Sequence, residues 1–96
     1  MDKEMLAIAK FKEGKFDTFM SWFQSDVGMN IRKSLAHVEQ TVPAFAPDKS
    51  YSIFKVIVHN EENMKQFVKG NHPDAREIFD ECIENVQLWE LNKVNL

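Results

Sequence analysis

Three side chains near the middle of the chain could move a proton or hold a charged group: His37, Lys55 and His59. Imidazole titrates close to neutral pH, and a lysine withdrawn from water either loses its proton or takes a carboxylate partner. These three are the proton-transfer candidates. Lys55 stands inside "YSIFKVIVHN", residues 51–60, an otherwise nearly continuous run of β-formers. If it is buried, Glu39 or Glu90 must face it, and Lys10 can join the same group. The plainer reading of Lys55 is a salt bridge at a subunit interface, or a stem lying on apolar surface with its ammonium at the rim.

The other polar groups carry less. Two histidines without a third placed ligand do not define a metal centre, so no metal and no cofactor are expected. His72 precedes Pro73 and suits a helix cap better than catalysis. Cys82, the single cysteine, has no cation placed beside it by sequence and falls on an apolar stripe, the position of an inert structural thiol. One cysteine makes neither an internal disulfide nor a multi-cysteine metal site, which fits a reducing compartment.

A second constellation is aromatic and thioether. Met20, Trp22 and Met64, with Phe16, Phe19, Phe23, Phe67 and Phe79 around them, line either a filled core or a pocket for a small apolar ligand. Tyr51 and Trp89 can give such a pocket a polar end, because their O–H and N–H need partners when buried. The candidate ligand-binding set is therefore Tyr51, Lys55, Trp89, Met20, Trp22 and Met64.

The elements that must position these groups follow from periodicity. Residues 4–11, "EMLAIAKF", read as a strand ended by "KEGK", where Gly14 can turn the chain. Phe16, Phe19, Met20, Phe23 and Val27 make one helical stripe, weakened at its end by Asp26, Gly28 and Asn30. Residues 35–42, "LAHVEQTV", read as a strand, and "PAFAPDKS" as the turn after it. Residues 51–59 are the strongest strand. Asn60 offers an N-cap to a helix with Met64, Phe67 and Val68 on its apolar face and Gly70 as terminator. Pro73 opens a further helix whose stripe is Ala75, Ile78, Phe79, Cys82 and Ile83. "NVQLWELNKV" is a last strand.

Parity divides the central hairpin into two faces. Ala36, Val38, Gln40 and Val42, with Phe54, Val56 and Val58, make an apolar face that belongs beneath the helices. Leu35, His37, Glu39 and Thr41, with Tyr51, Ile53, Lys55, Ile57 and His59, make a mixed face too apolar for water. A connection centred near Asp48 pairs His37 with His59, Glu39 with Ile57 and Thr41 with Lys55.

Ninety-six residues with 44% hydrophobic and 28% charged content suit one folded domain, residues 1–96. A net charge of −3 without a basic stripe argues against nucleic acid. No segment approaches the roughly 20 apolar residues of a membrane span, and the acidic start "MDKEMLAIAKF" is unlike a signal peptide, so a cytoplasmic protein is expected.

The order β-α-β-β-α(α)-β specifies the α+β, ferredoxin-like split βαβ arrangement, a four-stranded antiparallel sheet with helices on one face. That order, the length, the bent helix across "KGNHPDAREIF" and the extended last strand resemble the dimeric α+β-barrel superfamily, which includes antibiotic-biosynthesis-type monooxygenases and muconolactone-isomerase-like enzymes. The resemblance covers essentially the whole chain. It implies a homodimer joined through the open sheet face and, in many relatives, a small ligand between helices and sheet. Its oxygenase branches carry an asparagine in strand one and a histidine late in a helix; strand one here is "MLAIAKF", and no such helical histidine is evident.

The leading expectation is a homodimeric domain binding a small, largely apolar molecule, one with a carboxylate or carbonyl end included. The alternatives are a cofactor-independent monooxygenase or isomerase of the barrel type, using His37, His59 and Lys55, and a purely structural interaction module.

Overall fold

A computed structural model describes residues 2–96. Strand β1 (Lys3–Phe11) is followed by helices α1 (Phe16–Phe23) and α2 (Asp26–Leu35), a 3₁₀ turn at Val38–Gln40, and the hairpin β2 (Val42–Phe45) and β3 (Tyr51–Val58). Helices α3 (Glu61–Val68) and α4 (Arg76–Cys82) then lead into β4 (Ile83–Glu90). The strands form one antiparallel sheet in the order β2-β3-β1-β4, the ferredoxin-like arrangement.

The period-2 pattern of β3 works as its sequence requires. Phe54, Val56 and Val58 are buried under the helices, and Tyr51, Ile53, Lys55 and Ile57 point the other way. In β1, Met5, Ala9 and Phe11 join the buried face. The helices cover it with Phe16, Phe19, Ile31, Leu35, Met64, Phe67 and Phe79. Phe19 is the hub, with ring centroids 5.4 Å from Phe11, 5.5 Å from Phe23 and 5.6 Å from Phe79.

Residues 35–42 depart from the expected strand. Ser25 caps a new helix, its Oγ accepting from the Gly28 N–H at 3.3 Å, and Gly28, Ile31 and Leu35 form a buried stripe that carries the helix to Leu35. A Cβ at Gly28 would lie 2.7 Å from the Phe23 carbonyl oxygen, so glycine lets α2 press against the end of α1. Beyond Leu35 one isolated bridge, Ala36 to Val58, touches the sheet before the 3₁₀ turn.

Strand β2 therefore falls in the segment expected to be a turn. Pro43 is tolerated there because β2 is an edge strand. Its register places Val42, not Thr41, opposite Lys55. A slip of one residue moves side chains to the other face, and Val42, expected beneath the helices, is 60% exposed on the open side. Gln40 is likewise exposed.

The second half is closer to expectation. The Asn60 side chain accepts from the Asn63 N–H at 3.3 Å, and Gly70 ends α3 with φ +76°. Helix α4 begins at Arg76 rather than Pro73, because residues 72–75 form a turn in which His72 Nδ1 accepts from the Asp74 N–H at 3.1 Å. Strand β4 starts at Ile83, directly after α4. Among the described residues no helix is long and apolar enough to cross a membrane.

Candidate functional site

The helices do not close completely on the sheet. A cavity of about 70 Å³ lies between them, walled by Phe19, Phe23, Leu35, Phe54, Met64 and Phe67 and floored by small residues of β1, Ala7 and Ala9. Arg32 and Thr41 supply the only polar side chains of its lining among the described residues. A space of this size takes several water-sized spheres, but its walls give water almost nothing to bind. It suits an apolar guest.

Each wall residue is there for a local reason. Phe19 and Phe23 share the stripe of α1, Met64 and Phe67 share that of α3, and Phe54 is an even position of β3. Arg32 is set by α2: its guanidinium lies 4.2 Å from the centroid of the Phe23 ring, with Nη1 donating to the Phe23 carbonyl at 3.5 Å. Burial lowers its pKa, although a guanidinium keeps its charge at any ordinary pH.

Of the residues expected to bind a ligand, Met64 lines this cavity. Met20 and Trp22 pack against the core behind the wall, with the Trp22 indole stacked on Phe67 at 6.4 Å. Tyr51, Lys55 and Trp89 are on the far side of the sheet, 44%, 47% and 57% exposed. Parity explains this: Tyr51 and Lys55 are odd positions of β3, and Trp89 pairs with Leu6 on the outward face of β1. Neither Tyr51 nor Trp89 reaches the pocket; Arg32 does, but it shows the cavity its apolar stem.

The open face carries the other expected group. Leu6, Ile8, Ile53 and Ile57 form its partly covered centre, with Val42, Tyr51 and Trp89 exposed around them. Lys55 Nζ lies 3.5 Å from Glu4 Oε1, whereas Glu90 pairs with Lys3 and Lys10 with Glu84. The expected partners Glu39 and Glu90 are thus replaced by an acid on the neighbouring strand β1. Glu39 instead approaches His37, at 3.7 Å.

His37 and His59 do meet, with ring centroids 5.2 Å apart and edge to face. The contact comes from the bridge at Ala36, where the His37 N–H donates to Ile57 and the His59 N–H to Leu35, both at 2.9 Å. His37 Nε2 is 3.0 Å from Asp2 Oδ2, and His59 Nε2 is 3.0 Å from the Lys33 carbonyl. No group of three potential ligands capable of holding a metal occurs among the described residues. Cys82 is fully buried, and burial pushes its thiol pKa up.

Arg32 carries no signal in the sequence while Asp26, Gly28 and Asn30 are taken to weaken the end of a single helix. With α2 recognised, Arg32 follows Gly28 by four residues and sits at the edge of the Gly28–Ile31–Leu35 stripe. Such an edge position puts a long side chain partly into the core.

No family model and no curated protein matches the sequence. Among solved structures, the chain is similar to a candidate antibiotic biosynthesis monooxygenase from Chloroflexus aurantiacus J-10-fl, with a TM-score of 0.51 over 99% of this chain and 97% of that one, at 10% identity. The likeness establishes a shared α+β, ferredoxin-like fold over the full length.

Proposed function

We propose that this chain is the subunit of a cytoplasmic homodimer that binds a small, largely apolar molecule between its helices and its sheet. The observation that carries the reading is the cavity itself, walled by aromatic, aliphatic and methionine side chains. Native cores are normally filled to crystal-like density, so an apolar void at the meeting point of four helices and the sheet invites a guest. Native mass spectrometry of freshly purified protein tests this by revealing a co-purifying small molecule. A protein that arrives empty and shows no shift of the Met64 methyl resonance with any apolar additive leaves an interaction module as the better account.

Support for the homodimer comes from the open face. An apolar centre ringed by exposed Val42, Tyr51 and Trp89 is the kind of patch that marks an interface. A two-fold axis lets such a face cover itself, and Glu4 beside Lys55 gives it both signs of charge. Light scattering at micromolar concentration should give the mass of two chains. Ile53→Glu, which puts a carboxylate in the centre, should give one.

The likeness to a candidate monooxygenase favours a second reading, an enzyme of the barrel type. His37, His59 and Lys55 would then work on the open face beneath the second subunit rather than in the cavity. Oxygen uptake with electron-rich phenols, lost in His37→Ala and His59→Ala, supports that reading; no uptake above the buffer rate sinks it.

A further inference from the structure

We propose that Arg32 holds the carboxylate of a small amphiphilic monocarboxylic acid whose short hydrocarbon chain occupies the helix–sheet cavity. The inference rests on the reading of that cavity as a binding site and gives its ligand a chemical class. Among the described residues Arg32 is the one lysine or arginine that is both withdrawn from the surface and without a carboxylate within 4 Å. Lys3 and Lys15, the other half-buried cations, each have an acid partner. Lys12, Lys33, Lys69, Arg76 and Lys93 lack one but are exposed to water.

A guanidinium in that position is under-used. Its contacts are the face of Phe23, a long hydrogen bond to the Phe23 carbonyl at 3.5 Å and the Met29 sulfur at 3.9 Å. Most of its five donors therefore lack a good acceptor. The planar fork matches a carboxylate with two parallel hydrogen bonds, stronger than those to neutral acceptors. Burial, the cause that lowers the Arg32 pKa, also raises the worth of an incoming negative charge.

Position and preorganisation agree with this role. Arg32 is part of the cavity lining and also reaches partial exposure, so it spans the apolar interior and the rim. The arginine is held there by the close approach of α2 to α1 at Gly28 and by the Phe23 ring beneath it. Little side-chain freedom remains to be lost on binding.

The test compares pentanoate with 1-pentanol, whose short hydrocarbon bodies match the cavity and which differ in the head group, by calorimetry and by the Met64 methyl shift. Pentanoate should bind about 10- to 100-fold more tightly than pentanol. Arg32→Gln should bring pentanoate down to the pentanol level and leave pentanol unchanged, which also reports that the variant is folded. Arg32→Met, which keeps the stem over Phe23, should behave in the same way. If pentanol and pentanoate bind equally, and both variants leave the two affinities as they were, the role of Arg32 is overturned while the cavity stands as a binding site. If neither compound binds the unaltered protein, both readings fall.

Discussion

Lys55 stands 3.5 Å from Glu4 on the open face, a diagonal contact, since Lys55 pairs directly with Leu6 and Glu4 with Ile57. Glu4 is the more covered partner, its side chain 17% exposed against 47% for Lys55. Removing the ammonium leaves a half-covered carboxylate without its counter-charge. Lys55→Met should therefore lower stability to urea by about 1 kcal/mol, the upper part of the range for exposed pairs. The double change Lys55→Met with Glu4→Leu should recover most of that loss, since no charge is then left alone. A double variant no more stable than Lys55→Met alone would show that the pair does not account for the effect.

The junction between α1 and α2 has almost no tolerance. Gly28→Ala puts a methyl group against the backbone carbonyls of Trp22 and Phe23, which cannot move without unwinding the end of α1. The expected cost is about 1 to 3 kcal/mol, the usual range for overpacking, measured as a lower urea midpoint. Because Arg32 rides on the same helix, the cavity should change with it. The Met64 methyl resonance is the reporter.

Ser52 is fully buried on the helix side of β3, and its hydroxyl has no hydrogen-bond partner among the described residues. A buried polar atom of this kind lowers stability compared with a methyl group of similar size. Ser52→Ala should raise the urea midpoint, by up to about 1 kcal/mol in stability. A clear loss would mean that the hydroxyl is satisfied in solution.

The pair Lys3–Glu61, 2.7 Å apart, ties β1 to the first turn of α3. Its hydrogen bond to Lys3 holds the Glu61 pKa below the usual value, and the same bond to Glu61 holds that of Lys3 above it. The Glu61 contribution is full above the unfolded glutamate pKa of about 4.3 and fades as pH falls through the lower folded value. That of Lys3 is full below about 10.4 and fades as pH rises through the higher folded value. Glu61→Gln should therefore lower the melting temperature around neutral pH and have progressively less effect toward pH 3. A difference from the unaltered protein that stays constant across that interval would rule the linkage out.

Much of the frame was legible because it is written in short-range periods. The alternation in β3 gave its two faces, the stripe Phe16–Phe19–Phe23 gave α1, and Asn60 with Gly70 bounded α3. Each depends on residues within about a dozen positions of one another. The sum of those elements, in order, was enough for the ferredoxin-like sheet. Residues 35–42 misled because they alternate as a strand would, while Leu35 is claimed by the stripe of α2 and Pro43 lies in a strand that is possible only at an edge.

Local patterning thus fixes β1, α1, β3 and α3, the helix-covered side of β3 and the outward placement of Lys55. Tertiary structure decided the partners. Whether Lys55 faces Glu39 or Glu4 depends on which strand lies beside β3, and the strand that supplies the acid is β1, distant in the chain but adjacent in the sheet. It also separated Tyr51 and Trp89 from Met64, on opposite faces of one sheet, and brought Arg32 to the apolar cavity. Neither fact has a local signature, because a face is shared only once strands are paired and helices packed.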